Sequence, residues 1–191
     1  MERLQELIQD HPDTDKAIGA PGRDWMTYGD LKALTLTVRQ ALRSAGIGAQ
    51  DRVAIVLPNG PEMAAAFATI AQSATTAPLN LAYKEDEFAF YLEDLKAKAI
   101  IVETGYDGPA RRVAKRFDMI VIELTASNPA GSFTLSTNAT GSASDTVPAS
   151  GDVALILHTS GTTSRPKIVP LLQSNVAASA VNVRESLALT R

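Results

Sequence analysis

The distribution of apolar residues predicts alternating strands and helices from residue 24 onward. Short apolar runs rich in β-branched residues, such as RVAIVL and VALIL, are typical of strands buried on both faces. The predicted strands are 24–28, 52–57, 77–79, 100–102, 119–124 and 153–157. Apolar residues three and four apart predict helices between them, at 31–45, 61–73, 84–96 and 109–117. Strands separated by single helices favour parallel pairing with right-handed crossovers, so we predict an α/β fold: a doubly wound, mostly parallel sheet flanked by helices.

Local signals support two of the helix starts. Thr27 and Asp30 have the spacing of a capping box, in which each residue satisfies a free backbone N–H of the other. Pro61 suits the first turn of a helix, where its missing N–H costs nothing. The neighbouring aromatic residues Trp25 and Tyr28 are expected in the core.

The segment 126–150 differs in composition from the rest of the chain. Its sequence, ASNPAGSFTLSTNATGSASDTVPAS, consists mainly of small and polar residues. Such a stretch offers little apolar surface to bury. We therefore predict a flexible linker or surface excursion here.

Composition and charge indicate a globular protein without a nucleic-acid surface. Of the 191 residues, 45% are hydrophobic and 20% are charged, which permits a core of ordinary size. The net charge is −3, and the chain lacks the basic stripe of a nucleic-acid-binding protein. The basic cluster Arg111, Arg112, Lys115 and Arg116 is interpreted as the solvated face of a short helix.

Cysteine content and hydropathy limit metal sites and compartments. The chain has no cysteine and two histidines that lie far apart, so we predict no metal site built by the protein. There is no apolar run of membrane-spanning length, and the first residues lack the apolar core of a signal peptide. We expect no membrane span and a cytoplasmic protein.

The residues with the clearest chemical potential follow the buried run VALIL. Between Thr159 and Ser164 there are five hydroxyl side chains and one glycine, and Lys167 follows shortly after. So many hydroxyls would lack partners in a core. Small residues instead let backbone N–H groups approach phosphate oxygens, hydroxyls add donors, and a lysine supplies positive charge. The carboxyl end of a strand in an open α/β sheet is also where ligands bind. The segment 159–167 is therefore predicted to hold an anion.

A Walker A loop is one interpretation of this segment. The spacing from Gly161 to Lys167 fits G-x-x-x-x-G-K-S/T, but Pro166 replaces the second glycine and Ile168 replaces the hydroxyl that binds Mg²⁺. A P-loop-like NTPase, with Lys167 on phosphate and Glu103 as a Walker-B-like acid, remains the runner-up and requires a helix directly after Lys167. The pattern IVPL there predicts a strand instead. A third interpretation is a non-catalytic α/β interaction domain in which the hydroxyl loop is a solvated turn.

The segment resembles the signature of the adenylate-forming superfamily, which includes acyl-CoA synthetases, 4-coumarate–CoA ligases and peptide-synthetase adenylation domains. That signature reads Ser/Thr-Ser/Gly-Gly-Ser/Thr-Thr-Gly-x-Pro-Lys-Gly. Positions 159–167 match it except at Ser164, and Ile168 is a second departure. The Ser-Arg-Pro-Lys version is similar to that of the oxalate–CoA ligase-like subgroup.

Three earlier segments also resemble this family, in the family's order and spacing. WMTYGDL at 25–31 is similar to its early W-x-T-Y-x-E-L segment. GAQDRVAIVLPN at 48–59 is similar to its G-x-x-x-G-D-x-V-A-I-x-x-x-N stretch. APLNLAY at 77–83, with Glu85 and Glu87, is similar to V-P-L-N-P-x-Y-x-x-x-E. The resemblance therefore covers residues 20–180.

The resemblance implies an enzyme that activates a small carboxylic acid with ATP, giving acyl-AMP, and then transfers the acyl group to coenzyme A. Mg²⁺ is expected to accompany ATP. The family's chains are much longer, so 1–191 is expected to be the N-terminal portion of an adenylation domain that packs against the rest of its own chain. The C-terminal domain and the catalytic lysine are absent from it. We therefore expect this piece alone to be inactive.

The resemblance also assigns ATP contact to particular residues of this chain, and it leaves the catalytic residues unknown. The assigned residues are Thr159, Ser160, Gly161, Thr162, Thr163, Ser164 and Lys167. His158 lies directly before them and is expected to be structural rather than a base. The sequence does not indicate which acid is used or which oligomer forms.

Overall fold

The computed structural model describes residues 2–159 and 166–189, which form a seven-stranded sheet with helices on both faces and a separate two-stranded sheet. The helices are α1 (Leu4–Gln9), α2 (Tyr28–Ser44), α3 (Pro61–Ile70), α4 (Glu85–Leu95), α5 (Pro109–Arg116) and α6 (Gln173–Ser186). The strands are β1 (Lys16–Ile18), β2 (Met26–Thr27), β3 (Arg52–Val56), β4 (Thr75–Pro78), β5 (Ala99–Glu103), β6 (Ile120–Ala126), β7 (Phe133–Ser136), β8 (Val153–Thr159) and β9 (Lys167–Leu172).

The large sheet has the order β7-β6-β5-β3-β4-β8-β9. Its five inner strands pair in parallel, whereas β7 and β9 pair antiparallel at the two edges. The chain moves from β3 through α3 to β4 on one side, and then from β4 through α4 to β5 on the other side of β3. The predicted doubly wound, mostly parallel sheet is thus confirmed.

The central strand β3 shows why the apolar run RVAIVL forms a buried strand. Successive side chains of a strand point to opposite faces of the sheet. Val53 and Ile55 pack in the core that contains side chains of α2 and α3, and Ala54 and Val56 pack in the core that contains those of α4 and α5. All four are at most 1% exposed. The strand is therefore apolar at every one of these positions.

The predicted capping box is present at the start of α2. The backbone N–H of Asp30 donates to Thr27 Oγ1 at 3.1 Å, and the backbone N–H of Thr27 donates to Asp30 Oδ2 at 2.9 Å. The prediction of core aromatics is wrong for Trp25, which is 52% exposed and lies against Gly19. Tyr28 is half-buried and stacks on His11, with ring centroids 4.0 Å apart.

The linker predicted over 126–150 is corrected in two places. Strand β7 lies within it and pairs with β6, and its Phe133 is only 4% exposed in the core. Further along, the buried Arg43 guanidinium donates to the carbonyl oxygens of Ile47, Ser73 and Thr146. Backbone hydrogen bonds and one aromatic side chain hold this segment in place, although its composition is polar.

None of the helices in the described residues is long and apolar enough to cross a membrane.

Candidate functional site

Strands β8 and β9 form an antiparallel pair that holds both ends of the predicted anion-binding segment. Thr159 is the last residue of β8 and lies opposite Lys167, the first residue of β9. Lys167 is exposed, and no ion pair joins its ammonium group to another of the described residues. The structure therefore brings Thr159 and Lys167 together. The other predicted ATP contacts lie outside the described residues: Ser160, Gly161, Thr162, Thr163 and Ser164.

The structure contradicts the P-loop interpretation. A P-loop lysine opens a helix, whereas Lys167 opens strand β9. Glu103, the acid required by that interpretation, ends β5, and strands β3 and β4 separate β5 from β8. The segment 159–167 connects two strands and is not a Walker A loop.

The ends of β3, β4 and β8 meet at one edge of the sheet. These strands run in the same direction, with Ile55 opposite Pro78 and Thr76 opposite Leu155. The connections that leave β3 and β4 cross to opposite faces of the sheet. A crevice therefore opens between their carboxyl ends, which is where open α/β sheets bind ligands.

A cavity of about 610 Å³ lies in this crevice. Residues from the turns after β3 and β4 form its walls, together with Met63 of α3. Two exposed asparagines, Asn59 and Asn80, contribute amide groups to an otherwise apolar surface. Asn80 Oδ1 accepts a hydrogen bond from the backbone N–H of Ala82 at 3.0 Å, which fixes the turn. Both asparagines lie within the segments 48–59 and 77–83, although the sequence did not mark them as site residues.

His158 is held by α4, on the side of the sheet where that helix packs. Its side chain is 6% exposed, and its Nε2 lies 3.1 Å from Asp94 Oδ2. Because a carboxylate only accepts hydrogen bonds, Nε2 carries the proton in this pair. The edge of the imidazole also meets the ring of Tyr91, with centroids 4.7 Å apart. Asp94 was not predicted, since 64 residues separate it from His158.

Tyr83 extends this contact toward the crevice. Its ring stacks on Tyr91 with centroids 4.8 Å apart. Burial, together with a hydrogen bond to Tyr91, raises the pKa of Tyr83 to about 12. The phenol therefore stays neutral at physiological pH, and the aromatic contacts between α4 and the turn after β4 do not depend on its ionisation.

The three arginines of α5 have carboxylate partners. Arg111 pairs with Glu123 of β6, and Arg112 and Arg116 pair with Glu85 of α4 at 3.1 and 3.3 Å. Among residues 2–159 and 166–189, no group of three or more His, Asp or Glu side chains is close enough together to hold a metal ion.

This arrangement is a doubly wound α/β sheet in which a glycine- and hydroxyl-rich sequence follows strand β8. Residues 4–190 match the model of the AMP-binding enzyme family, and the chain belongs to that family.

Two relatives and one solved structure show the similarity in detail. Oxalate–CoA ligase of Arabidopsis thaliana is 36% identical over 193 residues, which cover 98% of this chain and 37% of that protein. Oxalate–CoA ligase of Saccharomyces cerevisiae is 38% identical over 167 residues, which cover 74% of this chain and 31% of that protein. The crystal structure of apo MatB from Rhodopseudomonas palustris has the same fold with a TM-score of 0.80 at 22% identity, covering 99% of this chain and 38% of that one. The chain thus spans about a third of the length of these relatives.

Proposed function

We propose that residues 1–191 are the N-terminal portion of the adenylation domain of an AMP-forming acid–thiol ligase. In this reaction a substrate carboxylate attacks the α-phosphorus of ATP, the bond to the β-phosphate breaks, and pyrophosphate leaves. The thiol of coenzyme A then attacks the acyl carbon of the acyl-AMP, and AMP leaves. Membership of the AMP-binding enzyme family supports this proposal. A non-catalytic interaction domain is not favoured, because the matching family consists of enzymes.

The single observation that carries the proposal is the position of Thr159 and Lys167 on paired strands at the carboxyl edge of the sheet. A lysine ammonium and a hydroxyl at this edge are suited to the β- and γ-phosphates of ATP. Charge on the leaving pyrophosphate rises during the reaction, and a fixed positive group stabilises that charge without reorganisation. We assign Ser160, Gly161, Thr162, Thr163 and Ser164 to the same role.

Three further components belong to the proposal. Mg²⁺ enters with ATP, since this ion is commonly held by substrate phosphates and one or two carboxylates. Coenzyme A is the second substrate. The acid is a small carboxylic acid, and the name oxalate–CoA ligase, shared by two relatives, supports a short dicarboxylic acid. The cytoplasmic location stays a prediction.

Isothermal titration with Mg·ATP tests the proposed contact. A Lys167→Ala variant should bind ATP at least about tenfold more weakly than the wild-type chain, because a hydrogen bond to a charged group contributes about 1.5–3 kcal/mol and 1.4 kcal/mol is about tenfold. Lys115→Ala is the matched control: this exposed lysine of α5 lies away from the carboxyl edge of β8, and its replacement changes the net charge equally. Equal ATP affinity of the wild-type and Lys167→Ala chains would overturn the assignment.

A further inference from the structure

The Asp94–His158 pair lies at the end of β8, where the proposed phosphate-binding segment 159–167 begins. His158 immediately precedes Thr159 in β8. It lies opposite Ile168 of β9, the residue that follows Lys167. Among the described contacts of β8, only this imidazole donates a hydrogen bond to a side chain of a helix. One side-chain hydrogen bond, between the buried imidazole of His158 and the exposed carboxylate of Asp94, thus joins the end of β8 to α4.

Strand geometry places this pair on the other face of the sheet from the proposed ligand contacts. Neighbouring residues of a strand point to opposite faces, and directly paired residues share a face. His158 therefore shares one face with Ile168, which packs against the core that contains side chains of α4. Thr159 and Lys167 share the opposite face. The imidazole is consequently unsuited to touch the nucleotide that these two residues would bind.

The contacts of the pair also reach the turn beside the crevice. Tyr91 packs against His158 on one side and stacks on Tyr83 on the other. Tyr83 closes a turn in which its backbone N–H donates to Asn80 O at 3.1 Å, and Asn80 lines the cavity. Side chains from α4 therefore hold both the turn after β4 and the end of β8, the two segments that border the proposed site.

We infer that Asp94 and His158 are positioning residues for ATP binding: their hydrogen bond fixes the end of β8 and thereby the place of Thr159 and Lys167. The inference rests on the proposed function. A binding group that is already held in place loses less conformational freedom when the ligand arrives, so fixing it strengthens binding. The helix that provides the anchor lies on the face of the sheet opposite the ligand contacts.

A double-mutant cycle on the affinity for Mg·ATP tests this inference. Asp94→Ala and His158→Leu each remove the hydrogen bond, and each should raise the Kd about tenfold. Because both remove one interaction, the double variant should also lose only about tenfold, rather than about a hundredfold. His158→Gln places an amide N–H near the position of Nε2 and should restore the affinity to within about twofold of wild type. All variants are measured at a temperature where circular dichroism shows them folded.

Thr76→Val is the matched control for a purely structural effect. Thr76 Oγ1 donates to Ala154 O at 2.7 Å, so this variant also removes a side-chain hydrogen bond to β8, in this case a buried one at the start of the strand. It should lower the stability of the fold and leave the Kd for Mg·ATP unchanged. If the Asp94–His158 pair had only a structural role, Asp94→Ala and His158→Leu would likewise lower the stability of the fold and leave the Kd for Mg·ATP unchanged.

The outcomes separate the inference from the proposed function. Binding of Mg·ATP by the wild-type chain with equal affinity in Asp94→Ala and His158→Leu would overturn the positioning role alone. Additive losses in the double variant would likewise overturn it, since the two residues would then act separately. If the wild-type chain fails to bind Mg·ATP, the proposed phosphate contact fails and the inference falls with it.

Discussion

At the scale of single residues, charged side chains fix segments that lie far apart in the sequence. Glu62, near the start of α3, accepts a hydrogen bond from Arg23 Nη1 at 2.6 Å and another from the backbone N–H of Gly131 at 3.2 Å. Burial alone would raise the pKa of Glu62, but the hydrogen bonds from Arg23 and from backbone N–H groups hold that pKa below its usual value. The carboxylate therefore stabilises the turn that precedes β7.

Glu62 gives a pH-dependent prediction. Its pKa in the folded state is lowered, so its contribution is fully present above 4.5, the usual glutamate value, and is lost as the pH falls below 4.5 through the folded-state pKa. Glu62→Gln should cost about 1–3 kcal/mol of unfolding free energy at pH 7. Urea unfolding should show that the difference in unfolding free energy between Glu62→Gln and wild type becomes smaller below pH 4.5 than at pH 7.

The exposed Glu93 of α4 offers the control for this experiment. Glu93→Gln should have the same free energy of unfolding as wild type at pH 7 and below pH 4.5. A gap between wild type and Glu62→Gln that stays constant from pH 7 to below pH 4.5 would contradict the role of the ionised carboxylate.

At the scale of elements, the start of α2 depends on a reciprocal pair of hydrogen bonds between Thr27 and Asp30. Thr27→Ala removes the hydroxyl that accepts from the Asp30 backbone, and we expect a loss of about 1 kcal/mol in the free energy of unfolding. Thr27→Ser keeps the hydroxyl and should retain most of that stability. The urea midpoints of the three proteins measure the effect, and identical midpoints for Thr27→Ala and wild type would show that the cap is dispensable.

Strand β7 gives a second prediction at this scale. Phe133 is buried in the core, so Phe133→Ala should cost about 3–5 kcal/mol. Thr134→Ala changes an exposed residue of the same strand and should have little effect. Urea unfolding compares the two variants. A flexible linker at 126–150 would instead tolerate both substitutions equally.

The same elements show what the sequence could and could not predict. Strands such as β3 are apolar on both faces, so their composition alone identifies them. Strand β7 has a single deeply buried side chain, Phe133, and its backbone pairing with β6 leaves no mark in the composition. The short elements α1 and β1 are equally hard to predict. The contact between Asp94 and His158 depends on how α4 packs on the sheet, which no local pattern reports.

At the scale of the whole molecule, the sheet brings the ends of β3, β4 and β8 together, while the chain spans only about a third of its relatives' length. The proposed reaction also needs an acid pocket, a contact to the nucleotide base and a catalytic lysine, which we place outside this segment. We therefore expect no turnover by the 191-residue chain in an ATP–pyrophosphate exchange assay with oxalate. Robust exchange activity would contradict this division of the site.

The central claim, that the segment 159–167 holds the β- and γ-phosphates, is tested most directly by comparing Mg·ATP and AMP as ligands of the same chain. Because AMP lacks both phosphates, the wild-type chain should bind Mg·ATP at least about tenfold more tightly, and the Lys167→Ala variant should lose most of that preference. Equal affinities of the wild-type chain for Mg·ATP and AMP, or an undiminished preference in Lys167→Ala, would contradict the account.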